Sequence, residues 1–156
     1  MVVTYDHEPR PVKYMPLPDG QADVWIRAQV QQVTDEEGTR WTAQEVYFHT
    51  RQTLQEVANN AMEIFFRESG LEEHFTRLVQ DYMDKTAQTR GYDNIASACS
   101  YANSTDTTFR AEGQACMAWR DACWRRCYNI EDSVKAGTAE IPTDEALLSM
   151  LPALEW

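Results

Sequence analysis

Three histidines and four cysteines are the residues of this 156-residue chain best suited to metal or nucleophilic chemistry. His7, His49 and His74 are scattered. None belongs to an H-E-x-x-H motif, a Glu-x-x-His pair or a Ser/His/Asp order. Glu72-Glu73-His74 stands where a helix would open, and carboxylates there suit the positive end of the helix dipole. It reads as a charged first turn. No glycine-rich loop is built to cradle phosphate. Gly70 and Gly137 read as helix stops, and Gly113 sits inside a helical pattern, where it lets a neighbouring helix approach closely. Cys116, Cys123 and Cys127 follow a C-x6-C-x3-C spacing on one predicted helix, unlike the C-x2-C knuckle of a zinc site. With Cys99 they read as reduced, buried, small apolar side chains. A redox or disulfide role and metal ligation are the alternatives. The expectation is no catalytic site, no metal and no cofactor.

These residues must be positioned by one domain's worth of chain with a small appendage. Lys and Arg number 14 against 25 Asp and Glu, a net charge of −11. Such a surface repels phosphates, so neither nucleic acid nor an anionic membrane is expected as a partner. Mean hydropathy is −0.58. No apolar run approaches the roughly 20 residues that span a bilayer. The start, Met1-Val2-Val3-Thr4-Tyr5, lacks the basic-then-apolar layout of a signal peptide, and the expectation is synthesis in a cytosol.

Residues 1–20 carry Pro9, Pro11, Pro16 and Pro18 and predict an extended arm, poor as sheet, held against its own body or a neighbour; a disordered tail is the alternative. Val24, Ile26, Ala28 and Val30 alternate with Trp25, Arg27, Gln29 and Gln31, a period-two strand running to Val33. Asp35-Glu36-Glu37-Gly38 is a turn signal, and a second strand follows to His49. A two-stranded hairpin is marginal in water and needs a cover. Thr53-Leu54-Gln55-Glu56 fits a capping box opening a helix to Ser69, with Gly70 as its left-handed stop. Further helices are predicted over about 71–89, 93–102 and 109–135, with a short one after Thr143. On the 109–135 helix, Asp121 and Arg125 are placed to pair. The fold class expected is α+β: an N-terminal extended arm and β-hairpin over 1–50, for docking, then a bundle of about five helices over 51–156.

Five Trp and seven Tyr are many for this size. Tyr5 and Tyr14 fall on the arm, and Trp25, Trp41 and Tyr47 on the hairpin. Exposed Trp and Tyr beside an unpaired strand edge are common interface anchors, so these five are the candidate partner-binding residues. Packing of Trp25 or Trp41 on the helices is the alternative.

One segment resembles a known family. Thr86-Ala87-Gln88-Thr89-Arg90-Gly91-Tyr92-Asp93-Asn94-Ile95 runs on to Cys99-Ser100-Tyr101 and a polar loop. Phe109-Arg110-Ala111-Glu112-Gly113-Gln114-Ala115, then Trp119-Arg120-Asp121-Ala122-Cys123-Trp124 and a leucine-rich end at Leu148-Ser149-Met150-Leu151-Pro152, complete the pattern. This is similar to a helical domain near the C-terminus of bacteriophage proteins, often beside tail-fibre genes, some of whose members are labelled tail-fibre assembly proteins. It covers about residues 75–156. The resemblance implies a virion tail protein made in the host cytoplasm, whose partners are other tail or tail-fibre proteins in an oligomeric assembly. Arg90, Gly91, Tyr92, Asp93, Trp119, Arg120, Asp121 and Trp124 are then structural motif residues. Physically, Arg90 and Asp93 suit the two sides of a helix break, Tyr92 covers the corner, and Arg120 is placed to stack over Trp124. The functional expectation is an adaptor joining tail or baseplate to fibre. An assembly chaperone, or an acidic decoy against host defence, is the alternative.

Overall fold

The computed structural model describes all 156 residues. It is α+β, with a four-stranded antiparallel sheet followed by six helices. The strands are β1 (Val2–Tyr5), β2 (Val12–Pro16), β3 (Ala22–Asp35) and β4 (Gly38–Thr50), in the order β1-β4-β3-β2. The helices are α1 (Leu54–Asn59), α2 (Ala61–Ser69), α3 (Leu71–Gln88), α4 (Ile95–Ser100), α5 (Thr107–Lys135) and α6 (Asp144–Ser149). A 3-10 turn, Tyr101–Asn103, follows α4.

The chain divides into two compact units, Met1–Glu72 and Glu73–Trp156. The expected boundary at 50/51 is therefore moved, because α1 and α2 belong with the sheet. α2 packs against β3 and β4 and buries Ile64, Phe65 and Phe66. The sheet contributes Ala22, Val24, Ile26, Ala28 and Val46 to the buried set of this unit. That is the cover a hairpin needs, and each fully buried Val, Ile or Phe side chain contributes about 2 kcal/mol.

The hairpin is as expected, but the arm is not merely extended. Residues 2–5 and 12–16 are edge strands on the chain's own hairpin, Val3 opposite Ala43 and Tyr14 opposite Val24. Proline is compatible with an edge strand, where an N–H faces outward anyway. The period-two pattern of β3 also fails past Ala28. A bulge at Gln29, with φ of +50°, puts Ala28 opposite Gln44 but Gln31 opposite Thr42, so the facing of later residues is reversed.

Thr53 and Glu56 form the predicted capping box. The helix they open ends at Asn59, and α2 starts afresh after Asn60, whose φ of −118° is not helical. Gly70, at φ +72°, ends α2 as predicted. In the second unit, Val79, Met83, Ile95, Ala98, Cys116, Trp119, Cys123, Leu147 and Leu151 build one core from α3, α4, α5, α6 and the chain after α6. Asn94, Asp106 and Thr143 cap α4, α5 and α6 with their side chains. Gly113 lets α5 touch the 3-10 turn: a Cβ there would fall within 2.9 Å of Ala102 Cα and closer still to Ala102 N. No helix is long and apolar enough to cross a membrane.

Candidate functional site

β3 and β4 hold Trp25 directly opposite Tyr47, Asp23 opposite His49, and Arg27 opposite Glu45. Alternation puts these six on one face of the sheet, away from the Val24/Ile26 side. The Trp25 and Tyr47 rings lie 5.0 Å apart, tilted by 37°. Lys13, opposite Trp25 on β2, sets its ammonium 4.4 Å from the Trp25 ring centre. Tyr47 donates to Asp23 Oδ1 at 2.9 Å, and His49 Nδ1 lies 2.7 Å from the same oxygen. Tyr47 remains 50% exposed, so this is an aromatic surface edged with charge rather than a closed pocket. The hydrogen bond to Asp23 raises the Tyr47 pKa. The cluster therefore holds the phenol protonated, the reverse of activating a nucleophile.

Two of the five candidate partner-binding residues are used inside the fold. Tyr5 hydrogen-bonds Glu45 Oε2 and accepts from Arg27 Nε at 2.8 Å. Arg27 also pairs with Glu45 Oε2 at 2.7 Å and donates from Nη1 to Arg10 O at 2.9 Å. The side chains of Arg27 and Glu45 are 7% and 15% exposed. This pair ties the arm down at two places, Tyr5 and the Arg10 carbonyl, and the Arg27 N–H adds a bond to Pro11 O at 2.8 Å. Tyr14 donates to Gln52 O at 2.9 Å. Trp41 lies opposite Tyr5 and is half-buried. Trp25 and Tyr47 are the two candidates brought into contact with each other. Sequence reasoning missed Arg27 and Glu45 because a charged residue on the outer face of a strand ordinarily reads as solvated. The signal was their common face at cross-strand positions.

The first four motif residues, Arg90 to Asp93, lie at one corner of the second unit, beside Glu112 of α5. Gly91, at φ +91°, turns the chain after α3. Arg90 then reaches Glu112 Oε1 with Nε at 3.0 Å and Nη2 at 2.7 Å, while Tyr92 donates to Glu112 Oε2 at 2.7 Å. Those bonds, the Tyr92 one foremost, hold the Glu112 carboxyl below its usual range. Conversely, Glu112 pushes the Tyr92 phenol up to about 12. Trp156 stacks on Tyr92 at 6.3 Å, with the Arg90 guanidinium 5.6 Å from its ring centre. Asp93 takes part through its carbonyl, which accepts from Gln88 Nε2 at 3.0 Å. Glu112 and Trp156 were not predicted here. The adjacent Glu112-Gly113 inside a helix was the one hint.

Trp119 is buried, its indole N–H donating to Pro152 O at 2.7 Å. Arg120 donates to Asp121, from Nε at 3.0 Å and Nη2 at 2.8 Å. It does so in place of the expected stacking over Trp124, which instead packs against the core. With its carboxylate so engaged, Asp121 meets Arg125 only through its carbonyl, at 3.3 Å. All four cysteines are unbridged, and Cys99, Cys116 and Cys123 are buried. Burial pushes Cys116 and Cys123 up to about 11, so they are poor nucleophiles. No three His, Cys, Asp or Glu side chains are placed to hold a metal ion together.

No protein-family model, curated protein or solved structure matches the chain.

Proposed function

We propose that this chain is a non-catalytic structural protein of a bacteriophage tail, made in the host cytoplasm and retained in the virion. It joins tail or baseplate to tail fibre by protein–protein contacts. The observation that carries the reading is the aromatic and charged outer face of the sheet, where Trp25, Tyr47 and Lys13 gather beside strand edges that nothing in the chain pairs. Such an edge offers backbone hydrogen bonds to a neighbour's strand, while Trp and Tyr supply contact area at low entropic cost.

The arm has a different role from the one its prolines suggested. It pairs with the hairpin and completes the sheet rather than waiting for a partner. β2 is the better protected edge, carrying Lys13 and Pro16 with Pro18 just beyond. β1, Val2-Val3-Thr4-Tyr5, has neither proline nor charge, and Val2 is largely exposed. The β1 rim is therefore the proposed site for a tail protein's strand. The resemblance of residues 75–156 to the phage helical domain supplies the biological setting. Mass spectrometry of purified particles tests it: a stoichiometric virion component is expected. Presence in lysate but not in particles would point to an assembly chaperone instead.

A further inference from the structure

The long central hairpin is only partly covered on either side. β1 pairs with Trp41–Gln44 and ends where Met1 O accepts from Glu45 N–H at 2.8 Å. In an antiparallel ladder, alternate residues direct their backbone groups to the same side. Glu45 points at β1, so Tyr47 and His49 point the same way, where no strand lies. Val46, Phe48 and Thr50 point instead at Ile26, Val24 and Ala22 of β3. Val46–Thr50 is thus a bare rim offering the N–H and C=O of Tyr47 and of His49. It carries no proline, lysine or carboxylate, the usual devices that blunt an edge. Within the first unit the chain also turns away from this rim. After Thr50 it turns the other way, Gln52 O accepting from Tyr14 of β2, on the far side of β3.

We propose that this rim binds the same rim of a second copy, antiparallel, about a two-fold axis through Phe48. The register is what selects a second copy. Centred on Phe48, Tyr47 falls opposite the partner's His49, and His49 opposite the partner's Tyr47. Every outward N–H and C=O on both rims is then used, in two pairs that each exchange two bonds. A centre on Tyr47 would set His49 against the partner's Glu45, already bound by Met1. A centre on His49 would set Tyr47 against the partner's Arg51, outside the strand. The side chains agree with the backbone. On one face Tyr47 comes beside the partner's His49, a contact of the kind Tyr47 and His49 already make edge-on at 5.3 Å within the chain. On the other face the half-buried Phe48 comes beside the partner's Phe48. The interface is isologous and closes on itself, leaving the β1 rim free. Two subunits of net charge −11 repel, yet the rim itself holds no acid, so added salt tightens the pairing.

Sedimentation velocity and amide hydrogen exchange on the purified full chain, without any phage component, test this separately from the adaptor reading. A dimer that strengthens with concentration and with salt is expected. The Tyr47 and His49 amides should exchange at least about tenfold faster on dilution, while the Val46 and Phe48 amides, bonded to β3, stay unchanged. His49→Pro removes an N–H used only across the two-fold, at an edge position that tolerates proline, and should give a folded monomer. If that variant does not fold, Tyr47→Lys should still weaken the dimer by at least about tenfold. A wild-type monomer at all concentrations and salts overturns the proposal. So does Tyr47 and His49 exchange that ignores concentration, or a dimer that keeps its affinity in the substituted chain.

Discussion

At the scale of single residues, the corner of Arg90, Tyr92 and Glu112 makes a pH-dependent contribution whose sign follows from its two shifts. The Glu112 pKa is lowered in the fold, so its contribution is present above the ordinary carboxylate range and is lost as pH falls through the depressed value. The Tyr92 pKa is raised from 10.0 to about 12, so its contribution is present below 10.0 and is lost as pH rises towards 12. Phenolate absorbance should show one tyrosine ionising near 12, and Glu112→Gln should return it towards 10.0. A titration unchanged by Glu112→Gln would refute the assignment. Gly113 decides another sign. Helix propensity alone favours Ala over Gly by about 1 kcal/mol. The backbone of Tyr101 and Ala102 leaves no room for a Cβ, and with backbone rather than a flexible side chain in the way the cost is at the upper end of overpacking, about 3 kcal/mol. Gly113→Ala should therefore lower the melting temperature. The sequence showed Arg90, Gly91 and Tyr92 as a turn. It did not show Glu112 as their partner, because a contact across 20 residues leaves no mark on local spacing.

Among the elements, β1 depends on the Arg27–Glu45 pair. Removing one member of a buried, hydrogen-bonded pair leaves the other uncompensated and costs about 3 kcal/mol. Arg27→Ala should destabilise the first unit by that order in denaturant unfolding, and should speed hydrogen exchange at the β1 amides before those of β3. Helices and the hairpin were legible because periodicity and caps are local: Thr53 with Glu56, and Gly70, announced their roles without tertiary information. Three features were not. The arm's edge strands were hidden by prolines that an edge tolerates but a central strand does not. The bulge at Gln29 was hidden because its positive φ falls on a residue other than glycine. The break at Asn60 interrupts an apolar stripe that continues in spacing from Val57 to Ile64 and Phe65.

For the whole molecule, the second unit draws its core and the residues packed on it from Phe75 to Leu154. A fragment of residues 71–156 should therefore fold alone, with a cooperative helical melt; an unfolded fragment would contradict that independence. The function claimed for the first unit is docking through its sheet, and the lysines provide a direct readout. Lys13 lies over Trp25 on the outer face, whereas the other two, Lys85 and Lys135, belong to the second unit. The decisive measurement is amine-reactive crosslinking of purified phage particles, read by mass spectrometry. Crosslinks from the Met1 amine, beside the β1 rim, or from Lys13 to a different tail protein are expected. Absence of the chain from the particles, or crosslinks to other proteins confined to Lys85 and Lys135, would contradict a docking role for the sheet.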